Sequence, residues 1–468
     1  MFCWRTLHSF LFLCLVLHCT GEFALDDSDE APMAKTEREA LYSAIQGFVG
    51  DSSWNGSDLY PDPCGWTPIQ GVSCDVFDGL WYVTDLTLGL VHENSLACVT
   101  SLEIKPQLFS LRHLKSLTFF NCFTSPIKIT GEDWLSFESS LESLEFRSNP
   151  GLVGELPETI GNLKKLQSLV VLGNGFRGKL QSSICNLTRL KRLVLAGNSF
   201  TGTIPDCFHG QKELLILDLS RNYFSGPLPS FGELGSLLKL DLSNNLLEGK
   251  LPKEIGFLKN LTLLDLRNNK FSGGLSRSVE KMQSLTELVL AKNPIGGDLM
   301  GIKWAKMDNL VILDISNMGL KGEIPTALTN LKRLRFLGLN DNNLTGNVPS
   351  KLETLPCLGA LYINGNNLTG KLEFSRMFYE KMGRRFGASR NPNLCYPLEI
   401  MSASQQHVPV GVKPCTGTMT RPEGNLVIQQ DSRNLIWNQR FSSKAVFLHV
   451  IDGFMWVWLL MVISIIVL

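Results

Sequence analysis

The sequence predicts an α/β solenoid, a stack of short turns whose strands form one curved parallel sheet. One asparagine-bearing motif recurs along the middle of the chain, and its Leu-x-Leu segments alternate as a strand does. A turn of this kind cannot bury its own leucines, so each turn needs the next one stacked on it. The motif asparagines follow one another in steps of 23 to 25 residues, apart from one double step, and are Asn149, Asn174, Asn198, Asn222, Asn245, Asn269, Asn293, Asn342 and Asn366.

Each recurring residue type of the repeat has a physical role. The two leucines of Leu-x-Leu point to one side of a strand and the x residues to the other. The asparagine follows the strand, where its amide can satisfy backbone groups that the bend leaves without partners. Gly-x-Ile-Pro segments at residues 202–205 and 322–325 supply turn residues on the outer side. This is the leucine-rich repeat pattern, and Met318 and Ser276 depart from it in the asparagine and proline slots.

The chain divides into six segments. Residues 1–21 are predicted to be a secretory signal peptide, because a positive charge precedes a short apolar run. An N-terminal cap is expected at 26–79 and the repeats at 80–370. A half-turn with a C-terminal cap follows at 371–415, then a linker at 416–445 and a hydrophobic tail at 446–468.

The N-terminal cap is predicted to contain a short amphipathic helix at residues 36–49. Thr36 and Glu39 have the spacing of a capping box, in which the two side chains bond reciprocally to the first backbone N–H groups. Such a cap would cover the leucine layer that the first turn of a stack leaves open.

Composition argues against nucleic-acid binding and catalysis. Lysine plus arginine equals aspartate plus glutamate, so the net charge is near zero and no basic stripe is present. The histidines of the expected mature chain have no spacing typical of a metal site or a catalytic triad. No kinase signature and no phosphate-binding glycine loop occur in the sequence. We therefore predict a protein that is not an enzyme and that binds no metal and no cofactor.

Two segments carry a family resemblance. Residues 62–75 (DPCGWTPIQGVSCD) and 391–397 (NPNLCYP) resemble the corresponding segments of the plant Piriformospora indica-insensitive proteins, which are extracellular leucine-rich repeat receptor-like proteins. The resemblance implies a role at the plasma membrane in responding to a root-colonising fungus and in growth promotion. It also implies that a helix and a disulfide staple cover the first turn, and it pairs Cys64 with Cys74.

The other cysteines fit an oxidising compartment, in which disulfides persist. Twelve cysteines less the three of the signal peptide leave nine, so at least one has no partner within the chain. Cys357 is expected to be that thiol, and as a small apolar residue it is expected to be buried. The candidate pairs are Cys98 with Cys122, Cys185 with Cys207, and Cys395 with Cys415.

Five Asn-x-Ser/Thr sequons are predicted to carry glycans. None occupies an x slot of a Leu-x-Leu strand, so the glycans should lie on the flanks and leave the sheet open. The sequons are at Asn55, Asn186, Asn260, Asn343 and Asn367.

Function is expected on the x residues of the strands, since solenoids bind partners on their sheet surface. Asp218, Asp241 and Asp265 should form an acidic ladder. Lys239, Arg221 and Arg267 would balance its charge; the alternative is a site for a cationic peptide or an amino sugar.

A second candidate site lies in the later turns. Arg335, Phe336 and Tyr362 combine exposed aromatic rings with an arginine, a composition typical of binding hot spots. The alternative is that the segment after Leu372 folds back and covers these residues.

The hydrophobic tail is interpreted as a glycolipid-attachment signal. Ser443 and Ala445 are the small residues that such a signal needs at the attachment site and two positions on. Asp452 would lie inside a spanning helix, and no lysine or arginine follows the apolar run. A spanning tail remains the alternative.

Two functions fit these features. The first is a membrane-anchored receptor-like protein on the outer face of the plasma membrane, in the apoplast. It would bind a peptide, glycan or protein ligand and signal with a partner receptor kinase as co-receptor. The second is a secreted inhibitor of pathogen cell-wall hydrolases, similar to polygalacturonase inhibitors. The hydrophobic tail favours the receptor, because a soluble inhibitor has no use for an anchor.

Overall fold

The computed structural model describes residues 32–50, 54–91, 95–231, 233–400 and 408–415. The predicted signal peptide, linker and tail, including Ser443, lie outside the described residues. A sheet of 14 strands dominates the structure. Its first two strands pair antiparallel, and all later pairs in this sheet are parallel. The predicted leucine-rich repeat solenoid with a parallel sheet is confirmed.

Each turn contributes one strand to this main sheet, and strands that follow one another in the chain are neighbours in space. In sheet order the strands are Val72–Phe77, Leu80–Leu88, Ser116–Phe120, Ser143–Arg147, Ser168–Leu172, Arg192–Val194, Ile216–Asp218, Lys239–Asp241, Leu263–Asp265, Glu287–Val289, Ile312–Asp314, Phe336–Gly338, Ala360–Tyr362 and Phe386–Gly387.

Short strands on the flank form three further sheets. The first comprises Val153–Gly154, Gly175–Lys179, Ser199–Gly202, Tyr223–Pro227, Leu246–Lys250 and Lys270–Ser272. The second comprises Lys321–Glu323 and Asn343–Thr345, and the third comprises Thr369–Lys371, Asn393–Tyr396 and Lys413–Pro414.

Helical segments are short in the described part of the chain. The α-helices are Lys35–Val49, Gly56–Leu59 and Arg376–Met382. The 3₁₀-helices are Pro106–Ser110, Glu132–Phe137, Glu158–Asn162, Ser182–Asn186, Phe208–Gly210, Lys253–Phe257, Arg277–Lys281, Trp304–Lys306, Thr326–Asn330, Ser350–Thr354, Gly383–Arg385 and Leu398–Ile400. No helix of the described residues is long and apolar enough to cross a membrane.

The ladder asparagines are buried, and the side chain of each joins its own turn to the preceding one. The Nδ2 of Asn245 donates to the carbonyl of Leu219, 3.0 Å away, and to that of Leu242, 3.1 Å away. Its Oδ1 accepts from the backbone N–H of Phe224 at 3.0 Å. The amide therefore satisfies backbone groups that the bend after each strand removes from the sheet. Met318, in the asparagine slot, is also buried, and Asn342 accepts from its backbone N–H.

The residue before each ladder asparagine has a left-handed backbone. Its φ is 58° at Asn244 and Lys292, 55° at Asn268 and 68° at Gly197. Asparagine and glycine tolerate this conformation better than other residues. The bend thus depends on two adjacent residues. The first adopts the left-handed backbone conformation, and the second, the ladder asparagine, makes the side-chain hydrogen bonds.

The first helix, Lys35–Val49, starts one residue earlier than predicted, and its capping box is absent. Ala34 is the N-cap residue and no side chain caps the helix. Thr36 lies inside the first turn, so its hydroxyl is not placed to act as a cap. Glu37 instead points inward, and its Oε1 accepts from the backbone N–H of Val83 at 3.2 Å. This contact joins the cap helix to the second strand of the main sheet.

Four disulfides staple the structure, and they are the pairs that the sequence suggested. Those near the ends join Cys64 to Cys74 and Cys395 to Cys415. The two others are Cys98 to Cys122 and Cys185 to Cys207. The latter links adjacent turns.

Cys357 is the free cysteine of the described residues, but the expectation that it is buried is wrong. Its thiol is exposed because Cys357 lies between the buried Leu355 and Leu358, in a slot that faces outward.

Within the described residues, the segment after Leu372 closes the end of the core, and its Arg385 and Gly387 lie beside Tyr362. Leu372, Phe374 and Phe378 are buried in the same core as the repeat leucines. Phe374 packs against Phe378 with ring centroids 4.4 Å apart and against Phe386 at 5.7 Å.

Candidate ligand-binding face

The x residues of the main strands lie in rows on the side of the sheet opposite the core, which we call the sheet face. The register of the strands places the members of each row opposite one another. The leading row is Ile216, Lys239, Leu263, Glu287, Ile312, Phe336 and Ala360. The central row is Asp218, Asp241, Asp265, Val289, Asp314, Gly338 and Tyr362. The trailing row is Ser220, Ser243, Arg267, Ala291, Ser316, Asn340 and Asn364.

The predicted acidic ladder is present in the central row, and part of its role is structural. One carboxylate oxygen of Asp241 accepts from the backbone N–H of Ser243 at 3.1 Å and from its hydroxyl at 2.7 Å. Asp218 and Asp314 repeat both contacts with Ser220 and Ser316. These aspartates therefore hold the backbone at the end of each strand.

Lys239 and Arg267, two of the three cations named from the sequence, balance part of the acidic charge. Lys239 Nζ lies 2.9 Å from Asp218 Oδ2 and 3.8 Å from Asp241 Oδ2. Arg267 Nη2 lies 2.8 Å from Asp265 Oδ2, and the arginine side chain is 45% exposed.

Burial alters the titration of this row. It raises the pKa of Asp265 to about 7, and repulsion from Asp241 adds to the effect while Arg267 opposes it. Burial also raises the pKa of Asp241 and Asp314 in this row and of Glu287 in the leading row. The face is therefore less negative at mildly acidic pH than its carboxylate count indicates.

We expect the stability of the protein to depend on pH through Asp265. The pKa of Asp265 is about 7 in the folded state, whereas an aspartate in the unfolded chain titrates near about 4, so between those values the folded state holds more protons than the unfolded state. The free energy of unfolding should thus fall as pH rises from about 4 to about 7.

Asp265→Asn should remove this part of the pH dependence. Urea midpoints measured across that range should fall less steeply for Asp265→Asn than for the wild type. Glu248→Gln, which changes an exposed flank carboxylate, is the control. Equal slopes for Asp265→Asn and the wild type would contradict the assignment.

The earlier turns carry an apolar strip on the same face. Val170, Val194 and Ala196 form a buried cluster separate from the main core. An ion cluster borders this strip, because Glu145 lies 2.6 Å from Arg147 Nε and 3.7 Å from Arg192 Nη1. These x residues are therefore buried although they lie on the sheet face.

Phe336 and Tyr362 come together in the later turns, with ring centroids 5.8 Å apart. Both side chains remain partly exposed. Glycine backbone lies beside the rings: a Cβ on Gly338 would be 3.0 Å from Phe336 Cε1, and one on Gly387 would be 2.9 Å from Tyr362 Cδ1. The glycines thus leave the space that the two rings use.

Arg335 is exposed at the rim, one residue before its strand, and a different arginine influences Tyr362. Burial raises the pKa of the Tyr362 hydroxyl, and the positive charge of Arg385 opposes this shift. The sequence offered no signal for Arg385, because it lies in the 3₁₀-helix Gly383–Arg385, after the regular repeats.

The five sequon asparagines are exposed, and none lies on the sheet face. Asn343 is in a flank strand, and Asn186 and Asn260 are at or after 3₁₀-helices on the outer side. Glycans at these positions would leave the sheet face open. Within the described residues, no group of three histidine, cysteine or acidic side chains could hold a metal ion.

Family models described as leucine-rich repeats match residues 188–247, 260–282 and 309–331. The chain is 73% identical over 178 residues to Piriformospora indica-insensitive protein 2 of Arabidopsis thaliana, covering 37% of this chain and 42% of that protein. It is 35% identical over 147 residues to receptor like protein 29 of Arabidopsis thaliana, covering 31% of each. The alignments span less than half the length of either relative.

A solved structure supports the same relationship. The plant peptide hormone receptor RGFR1 in complex with RGF2 matches with a TM-score of 0.56 and 26% sequence identity, covering 71% of this chain and 61% of that receptor. The predicted resemblance is confirmed: the chain is a leucine-rich repeat protein related to plant receptor-like proteins.

Proposed function

We propose that this leucine-rich repeat protein, a relative of Piriformospora indica-insensitive protein 2, binds an extracellular peptide on its sheet face and signals with a partner receptor kinase. The setting would be growth or defence, or the response to a root-colonising fungus. The observation that carries the proposal is the aromatic pair Phe336 and Tyr362, partly exposed beside a row of carboxylates.

Three features support peptide binding there. Aromatic rings bury a large apolar area at low cost in conformational entropy, and they dominate binding energies at interfaces. The adjacent carboxylates can orient the peptide by accepting hydrogen bonds from its backbone N–H groups or its basic side chains. RGFR1, which shares the fold, is a receptor for a peptide hormone.

We expect Tyr362→Ala and Phe336→Ala each to weaken ligand binding about ten-fold, as is usual for a buried aromatic contact. Immobilised protein would first be used to retain peptides from root extracellular fluid, which are identified by mass spectrometry and resynthesised. Calorimetry then gives the dissociation constant for each variant. The control is Tyr223→Ala, which removes an aromatic ring that is 55% exposed on the flank. Unchanged affinity in both test variants would mean that the site lies elsewhere.

The localisation we propose is the outer face of the plasma membrane, with a glycolipid anchor at Ser443. Extracellular leucine-rich repeat relatives and the four disulfides support the compartment. The anchor rests on the sequence of the tail alone.

Phosphatidylinositol-specific phospholipase C should release the protein from isolated plasma membranes. A released protein whose last peptide ends at Ser443 is the expected result. Protein that stays on the membrane and retains peptides beyond Ser443 would instead show a spanning tail.

A further inference from the structure

Two arginines on the sheet face of the early turns share one carboxylate, and we call Arg147 and Arg192 the guanidinium pair. Arg147 Nε donates to Glu145 Oε2 at 2.6 Å, and Arg192 Nη1 lies 3.7 Å from Glu145 Oε1. The field of Asp218 also reaches Arg192, but Lys239 lies 2.9 Å from Asp218 and balances its charge. Two positive charges thus meet one negative charge, and the group keeps an excess of one positive charge.

Most hydrogen-bond donors of the guanidinium pair are unused within the part of the chain that the structure describes. An arginine side chain carries five N–H donors. Arg147 uses only its Nε, and Arg192 makes only the ion pair at 3.7 Å. The two side chains are 29% and 38% exposed, so a ligand can reach them although water is partly excluded. A further carboxylate would therefore gain charge-assisted hydrogen bonds here.

A hydroxyl beside the guanidinium pair also lacks a partner. Arg192 reaches Glu145 across the strand Ser168–Leu172, which lies between their two strands. Ser168 is the register partner of Arg192, and its hydroxyl oxygen is buried with no hydrogen-bond partner among the described residues. By contrast, the hydroxyl of Ser220, in a later turn, donates to a carboxylate at 2.7 Å. Buried polar groups normally have partners, so the hydrogen bonding of the early turns is incomplete by itself.

The guanidinium pair lies on the same face as the rings of Phe336 and Tyr362, at a distance that one peptide can span. Eight strand steps separate Ser168–Leu172, over which the pair meets Glu145, from Ala360–Tyr362. At about 4.8 Å for each step, the distance is about 38 Å. An extended peptide rises about 3.4 Å per residue, so about eleven residues cover it. A peptide of moderate length can therefore contact both places at once.

We propose that the guanidinium pair binds an acidic side chain of the peptide that occupies the sheet face. The carboxylate of that side chain accepts N–H bonds from Arg147 and Arg192, whose planar groups match its geometry. It lies about eleven residues along the peptide from the apolar side chain that contacts Phe336 and Tyr362. This inference rests on the proposed function, because it names a second contact of the same peptide.

The test uses synthetic peptides that are acetylated and amidated, so that no terminal charge is present. One has phenylalanine at one end, ten glycine and serine residues, and glutamate at the other end; its partner has glutamine in place of glutamate. Both chain directions are made. Surface plasmon resonance on the immobilised full protein should show that, in one direction, the glutamate peptide binds at least about ten-fold more tightly than the glutamine peptide.

Variants locate the effect. Arg192→Gln and Arg147→Gln should each reduce the preference for glutamate to about two-fold or less. Arg177→Gln is the matched control, because it changes an exposed arginine in the flank strand Gly175–Lys179 and should leave the preference unchanged. The glutamine peptide should bind all these variants as it binds the wild type, which shows that the sheet face remains folded.

Three results would overturn the inference: equal binding of the two peptides, binding of neither, or a preference that survives in both Arg192→Gln and Arg147→Gln. Binding of trigalacturonate in place of the peptides would also overturn it, since the guanidinium pair would then serve an acidic saccharide. These failures are distinguishable from failure of the proposed function. If Tyr362→Ala still weakens binding of the peptide captured from root fluid, the sheet face binds a peptide without this acidic contact.

Discussion

Replacing Phe200 by alanine is expected to lower the free energy of unfolding by about 3–5 kcal/mol. Phe200 is fully buried, and its ring stacks between those of Phe176 at 6.4 Å and Phe224 at 6.1 Å. Truncation would remove the transfer free energy of the ring and leave a cavity that the neighbouring turns cannot fill. The row of rings continues through Phe146, which meets Phe176 edge-to-face with centroids 6.3 Å apart and stacks on Phe119 at 5.2 Å.

Urea unfolding followed by circular dichroism would measure this loss. Tyr223→Ala is the matched control, because it deletes an aromatic ring from a turn of the same stack at an exposed position. We expect the control to stay within about 0.5 kcal/mol of the wild type. A loss below about 1 kcal/mol for Phe200→Ala would show that the row of phenylalanine rings contributes little to the free energy of unfolding.

Asn269→Ala is expected to cost about 1–3 kcal/mol, because it leaves buried backbone groups without partners. Asn269 Nδ2 donates to the carbonyl of Leu242 at 2.9 Å and to that of Leu266 at 3.0 Å. Its Oδ1 accepts from the backbone N–H of Leu247 at 3.0 Å. Alanine can replace none of these bonds, and water has little access to the site.

The same denaturation experiment measures the effect, with Asn330→Ala as control. Asn330 is an exposed asparagine in a 3₁₀-helix, so its loss changes composition in the same way without uncovering buried groups. Should both variants unfold at the same urea concentration, the asparagine ladder would have no energetic role. Because each turn is stabilised by its neighbours, hydrogen exchange should rise first in the turns adjoining Asn269.

The sequence by itself determined the architecture and the identity of the sheet-face residues. Its period, near 24 residues, specifies which leucines stack, and strand alternation specifies which residues point away from the core. Asn245 and the other ladder asparagines could be identified for the same reason, since their role follows from their place after a strand. Local periodicity is sufficient for such assignments, because every turn repeats the same backbone.

Only the tertiary structure decided how open and how charged each part of the sheet face is. Val170 is buried and the pKa of Asp265 is raised because side chains from neighbouring turns cover them, and the repeat pattern does not encode those side chains. Arg385 lies near Tyr362 because of a segment that follows the regular repeats. Cys357 is exposed because its position in the turn faces solvent. The physical reason is that the burial of a side chain and the electrostatic field around it depend on all its neighbours, many of which are far away in the chain. The repeat pattern, in contrast, is a local property of the sequence.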